Sequence, residues 1–189
     1  MGLDIIAYSK LEPIAESELP EDSDERWEQG YVHAFAYASF PRSTRGLVGH
    51  DTQSGDEGEW IAESWYRPTD GTEMHEFRAG SYSGYGEFRT MLAKMVGHDP
   101  AEYWNADGTG PDLSDEPFYE LIDFADNEGC IGPDAAVDLL EDFRVHREQW
   151  VAHVEQSDAK PMLDYYVGKY DDWIKAFELA ADGGLVAFH

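Results

Sequence analysis

Gly80-Ser81-Tyr82-Ser83-Gly84-Tyr85-Gly86 is a run built only of glycine, serine and tyrosine. It follows a strand-like run, Met74 to Arg78, and opens a helical one, Tyr85 to Val96. Small residues let a ligand approach the backbone, and a helix N-terminus offers unpaired N–H groups with a partial positive charge. Arg78 and Arg89 flank the run in a chain with eight arginines, and a guanidinium holds a phosphate or carboxylate through two hydrogen bonds. A site here would use Arg78 and Arg89 on an anion and Gly80 for backbone approach. Ser81 and Ser83 would donate hydroxyls, and Tyr82 or Tyr85 would form a stacking wall. The alternative is a tight strand-to-helix turn with Ser83 as N-cap and both arginines paired to acids. The run is neither a nucleophile elbow, since Tyr82 stands where the serine belongs, nor a Walker loop, since the lysine is missing.

Carboxylates supply the second kind of chemistry. Asp123, Asp126, Glu128 and Cys130 lie close together before Gly132-Pro133. Asp126 and Glu128 are weak candidates for a hard cation, because the spacing is not that of an EF-hand. A polar helix-to-turn connection is the plainer reading. Asp134, Asp138 and Asp142 recur at i, i+4 and form a row of negative charge along one helix face, as a nucleic-acid mimic would present or as any solvated face would. The seven histidines make no metal motif: His146 and His153 share a face but are separated by about 10 Å of helical rise. Cys130 is the only cysteine, which excludes an intrachain disulfide and a cysteine zinc cluster and leaves inert packing as its expected role. His189, the last residue, either reaches a cleft or frays.

The 189 residues carry 40 acidic and 13 basic side chains, a formal charge of −27. A broad surface for nucleic-acid backbones or anionic membranes is incompatible with that balance. Solubility or tolerance of salt, a basic protein partner, and cation binding remain as readings. No apolar run approaches the ~18 residues of a membrane span, and Met1-Gly2-Leu3-Asp4 has no signal-peptide pattern, so a cytoplasmic protein is expected.

The elements that must position these residues follow from periodicity. Leu3–Tyr8, Tyr31–Ser39 and Trp60–Arg67 read as strands, and Thr72–Arg78 as the hairpin partner of the third across Asp70-Gly71. Glu12–Glu28, with eight carboxylates, reads as a solvated acidic loop with one helical turn near Trp27. Tyr85, Phe88, Leu92 and Val96 predict one helix face. Pro100 to Pro117 reads as loop, and Phe118 to Phe124 is a short apolar run of undecided type. Gly132-Pro133 starts a helix with the stripe Val137, Leu140, Phe143, Trp150 and Val154. Lys160-Pro161 starts another with Met162, Tyr166, Trp173, Phe177 and Ala180. Asp182-Gly183-Gly184 stops it, and Leu185 to Phe188 returns as a strand. The expected fold is a single α+β domain, a small mostly antiparallel sheet with about three helices, the two longest in the C-terminal third.

Several blocks, in order along the chain, carry a resemblance: residues 1–11 (MGLDIIAYSKL), Phe77 to Tyr85 (FRAGSYSGY), Glu120-Leu121-Ile122-Asp123-Phe124 with Glu128-Gly129 and Ile131-Gly132-Pro133, and Ala176-Phe177-Glu178-Leu179-Ala180 with the closing Phe188-His189. They resemble a family of small single-domain proteins of bacteriophage and proteobacterial genomes. The resemblance carries over no catalytic role and leaves both activity and cofactor open. The chain departs from the pattern at Gly86-Glu87-Phe88 and at Ala125-Asp126-Asn127, where Ser-Asp-Cys would stand, which weakens any thiol chemistry. Two functions are therefore expected. One is an acidic phage-type accessory protein that binds a basic host or defence protein, with nucleic-acid mimicry as one form. The other is a small-molecule or nucleotide-binding protein, hydrolases included, with its pocket at Gly80–Gly86.

Overall fold

A computed structural model describes residues 2–37, 60–99, 113, 116–124 and 129–189. Its centre is β1, Gly2–Tyr8, whose side chains alternate in burial. Leu3, Ile5 and Ala7 are fully buried on one face, while Asp4, Ile6 and Tyr8 face the other way. β1 pairs antiparallel with β5, Met74–Ser81, on one side and with β7, Leu185–Phe188, on the other. A short strand β6, Gly129–Ile131, completes a four-stranded sheet in the order β5-β1-β7-β6. A second sheet has three strands in the order β2-β4-β3: β2 is Leu11–Pro13, β3 is Val32–Tyr37 and β4 is Trp60–Pro68.

The two faces of the larger sheet have different covers. Helices α2 (Tyr82–Met95) and α6 (Leu163–Ala181) pack on the face that carries Leu3, Ile5, Phe77, Ala79, Val186 and Phe188. The small sheet covers the opposite face at the β6–β7 end, where Val32, Ala34 and Tyr66 meet Cys130, Leu185 and Ala187. Cys130 thus packs between the sheets, as expected. The architecture is α+β, with antiparallel sheets and the longest helical stretches in the C-terminal third. Six α-helices are present among the described residues, more than expected. Two of the extra ones are short, α1 (Ser23–Glu28) and α3 (Tyr119–Asp123), and the third arises because the helix after Gly132-Pro133 is two helices.

Three expectations are corrected. First, β4 and β5 form no hairpin and belong to different sheets. The intervening turn is fastened to the end of β1 instead: Ser9 N–H donates to Glu73 O at 3.0 Å and Ser9 Oγ accepts from Glu73 N at 2.9 Å. The hydroxyls of Thr69 and Thr72 both donate to Lys10 O, at 2.9 and 3.0 Å. Second, the helix after Gly132-Pro133 breaks at His146 into α4 (Pro133–Val145) and α5 (Arg147–Gln156). The His146 ring bonds through Nδ1 to Asp142 O at 2.9 Å, and Trp150 of α5 is fully buried in the core. Third, the buried stripes shift: Val137 is 50% and Met162 is 50% exposed, whereas Ala135, Ala136, Leu139 and Tyr170 are inside. α4 packs chiefly on α6, which sets its buried face, and Met162 lies in a 3₁₀ turn before α6 begins.

Gly183 and Gly184 connect α6 to β7. Gly183 has a φ of 69°, and a Cβ on Gly184 would stand 1.7 Å from Tyr8 O. Only glycine lets β7 begin this close to the end of β1. The backbone of His189 extends the same ladder by exchanging bonds with Asp4 at 2.9 and 3.0 Å, so the residue is fixed to the sheet rather than frayed.

Candidate functional site

The Gly/Ser/Tyr run is a junction without a loop: β5 ends at Ser81 and α2 begins at Tyr82. Gly80 makes the turn with φ of 129°, and the Tyr165 hydroxyl lies 3.6 Å from where its Cβ would be. The N-cap is Ser81, not Ser83. Its backbone is extended (φ −76°, ψ 165°), and its Oγ accepts from Gly84 N at 3.1 Å. Ser83 is already inside the first turn, with its Oγ 3.0 Å from that of Ser81. Tyr82 points outward and is 40% exposed.

The remaining residues of the expected site are drawn apart. Tyr85 is buried, and its hydroxyl donates to Phe124 O at 3.0 Å and to Leu121 O at 3.4 Å. Burial drives its pKa far above the ordinary phenol value, with the neighbouring Arg89 opposing the shift. Arg89 is also in the core, 6% exposed, with its guanidinium 4.9 Å from the Tyr85 ring centre and Nη1 donating to Ile122 O at 2.6 Å. Tyr85 therefore forms no stacking wall, and Arg89 fixes α3 from inside. Its place follows from helical spacing, because Arg89 is four residues beyond Tyr85 and shares its inward face. Arg78 lies on the outer face of the sheet, opposite Asp4 in the register, with its guanidinium against Gly2. Its carbonyl accepts from the Lys169 ammonium of α6. Gly80, Ser81, Tyr82 and Ser83 are thus all that remain together around the α2 N-terminus.

The carboxylate candidates also separate. Asp126 and Glu128 lie outside the described residues. Among the described residues, no group of three or more His, Cys, Asp or Glu could hold a metal ion. Asp134 and Asp138 are exposed on α4, but Asp142 is half-buried and its Oδ2 accepts from Phe118 N at 2.7 Å. Burial raises its pKa, the Phe118 bond and His146 oppose this, and Asp138 and Glu141 add to it. The row is therefore not a uniform acidic ladder, since its last member is the cap of α3. Elsewhere, His98 faces Glu116 at 3.3 Å and lines an open depression of ≈ 580 Å³ with Thr90, Lys94, Gly97 and Asp99. His75 faces Asp172 of α6 at 3.4 Å.

The segment expected to be an acidic loop is built into the fold. β2 pairs with β4, Ile14 is buried, and Ile14 N donates to Trp65 O at 2.9 Å. A 3₁₀ turn over Glu16–Glu18 follows, and Glu18 is paired with Arg67 of β4. Asp22 caps α1 by accepting from Asp24 N at 2.9 Å, and Arg26 Nε donates to Pro20 O at 2.7 Å. All eight carboxylates from Glu12 to Glu28 are exposed on this framework. Trp27, 51% exposed, stands among them.

Behind Trp27 is a ring cluster that no local pattern announces. His33 and Trp65 are paired across β3 and β4, and their rings stack at 4.5 Å between centroids. Trp27 meets the Trp65 ring edge-on at 5.0 Å, and the Arg26 guanidinium lies 5.3 Å from the Trp65 ring centre. The one signal that could have found it is a tryptophan inside the most acidic stretch of the chain. Chemically, the region offers carboxylates and an aromatic face, which suit cations.

Comparison of the chain with protein-family models, with curated proteins and with solved structures found no match. Among the described residues, no helix is long and apolar enough to cross a membrane.

Proposed function

We propose that the protein is an acidic accessory protein that binds a basic partner protein through its carboxylate-rich surface. The resemblance to a phage and proteobacterial family gives the setting, a host or defence protein as the target. The observation that carries this reading is the ordered ridge from Glu12 to Glu28, eight exposed carboxylates held on strands and caps in a chain of formal charge −27. Charge held in place attracts and orients a basic surface without the cost of ordering a loop on binding. The ridge supports the reading better than Asp134, Asp138 and Asp142, because Asp142 is occupied by Phe118 N.

The other reading places a small molecule or nucleotide at Gly80–Gly86. It keeps Ser81, Tyr82 and Ser83 at the surface, but Arg89 and Tyr85 are in the core, which leaves Arg78 as the one accessible guanidinium of the expected pair and Tyr82 as the one accessible ring. Binding of a basic partner is the better-supported function.

The test is retention of lysate proteins on the immobilised chain at about 50 mM and about 500 mM salt, since exposed charge pairs are screened over this range. A stoichiometric basic protein held at low salt and released at high salt is the expected result. Retention of no basic protein at either salt overturns the reading.

A further inference from the structure

Trp27 is the largest exposed aromatic surface among the described residues, and one side of its ring is packed. It packs against Trp65 at 5.0 Å with planes 67° apart and reaches His33 at 6.4 Å. Trp65 is only 8% exposed and belongs to β4, so the cluster is anchored in the small sheet. An aromatic ring held half in solvent by a packed base is the form of an interface anchor, because little side-chain entropy is left to lose. The cluster also already accepts one cation, the Arg26 guanidinium over Trp65.

The surroundings specify the occupant. Asp24, Glu25 and Glu28 share α1 with Trp27, and Glu21 and Asp22 precede it, all exposed. Arg26, the one basic residue between Glu12 and Glu28, is turned inward to Trp65 and Pro20 O. A neutral apolar group covering Trp27 would desolvate carboxylates without compensation. A nucleic acid would be repelled, and a second copy of this chain would bring an identical acidic ridge onto this one.

We propose that Trp27, with Asp24, Glu25 and Glu28, is the docking point for a basic segment of the partner protein. One Lys or Arg side chain of that segment lies against the indole, and its neighbours pair with the three carboxylates. This rests on the reading that the protein binds a basic partner and assigns the place where it does so.

The test uses the full chain and a fluorescent peptide of about twelve residues alternating arginine with glycine, beside a serine–glycine peptide of equal length, read by anisotropy at about 150 mM salt. Trp27→Ala is expected to weaken binding of the arginine peptide about tenfold, as truncation of a central anchor does. The combination Asp24→Asn, Glu25→Gln and Glu28→Gln leaves the indole and the Asp22 cap intact and is expected to weaken binding at least as much. A combination with the same charge change on α4, Asp134→Asn, Asp138→Asn and Glu141→Gln, is expected to change affinity less than about twofold, because at this salt exposed charges more than about 8 Å from the peptide are largely screened. Equal losses from the two combinations, or wild-type affinity in Trp27→Ala, overturn the docking point while leaving a diffuse acidic interface standing. Failure of the arginine peptide to bind the wild-type chain overturns both.

Discussion

Asp142 shows how one side chain can belong to a surface pattern and to a packing arrangement at once. Its carboxylate accepts from the N–H of Phe118, a non-glycine residue with φ of 63° at the start of α3. Left-handed backbone of this kind costs on the order of 1 kcal/mol and persists where a partner fixes it. Burial raises the Asp142 pKa, so the native state binds a proton at higher pH than the unfolded chain does. Stability from this group is thus gained as pH falls through its raised native pKa and is complete below the ordinary carboxylate value. Above the native pKa, the partly buried charge opposes folding. Asp142→Asn keeps an oxygen for Phe118 N and removes the charge. Its melting temperature at neutral pH is expected to equal or exceed that of the wild type, with a shallower rise on acidification. Asp142→Ala leaves Phe118 N without its acceptor and is expected to cost about 1–3 kcal/mol. Equal losses from Asn and Ala in thermal melts at pH 7 would show that the acceptor oxygen is not what matters.

Among the elements, the way β5 passes into α2 explains why the Gly/Ser/Tyr run does not gather all the residues expected beside it. The first turn of α2 caps itself through Ser81, and the following residues Tyr85, Phe88 and Arg89 enter the core, where Tyr85 and Arg89 bond to carbonyls of α3 and its C-terminal end. The far end of α6 is equally constrained, because β7 must start beside the last carbonyl of β1. Two glycines near that helix therefore have opposite expectations. A Cβ on Gly184 meets Tyr8 O at 1.7 Å, which is backbone and cannot turn aside, so Gly184→Ala is expected to cost about 1–3 kcal/mol or more. Gly168 lies mid-helix, and a methyl there would meet nothing within 4 Å beyond the backbone of its own helix. Gly168→Ala is therefore expected to stabilise by about 0.5–1 kcal/mol. Denaturant melts of the two variants check this, and a shift of the same sign in both would contradict the placement of β7 against β1.

For the whole molecule, the formal charge of −27 must act on stability as well as on recognition. Several ion pairs are spread over the surface, among them Arg67–Glu18, Arg144–Glu178 and Arg147–Asp171, but 13 cations cannot neutralise 40 carboxylates. The compact state holds the excess acids closer together than the unfolded chain does, so self-repulsion weakens it and salt relieves it. The melting temperature is expected to rise by several degrees between about 10 mM and about 500 mM sodium chloride. A melting temperature that is flat or falling over this range would mean that the acids are already compensated within the fold.

The class of the fold and the positions of most elements were legible along the chain. The short, apolar, β-forming run Leu3–Tyr8 marks β1, Tyr85, Phe88 and Leu92 mark the inner face of α2, and Pro133 and the Gly183-Gly184 pair mark helix ends. These are local rules, set by backbone period and by which residues tolerate a given φ. Where each element goes was settled by its neighbours in space. β5 left its sequence neighbour β4 and paired along β1, and Ser9 and Lys10 after β1 hold the turn between β4 and β5. The three-residue strands β2 and β6 are strands only because neighbours complete their ladders. The candidate site divides in the same way. Exposure of Ser81, Tyr82 and Ser83 agrees with the reading of a polar helix start, whereas the burial of Arg89 and the capping role of Asp142 depend on α3, which no local pattern places. The cluster of Trp27, His33 and Trp65 was equally hidden, since its members come from one helix and two strands and meet only when the small sheet forms. Charge and periodicity are properties of a stretch of chain, but a docking surface is a property of what folding brings beside it.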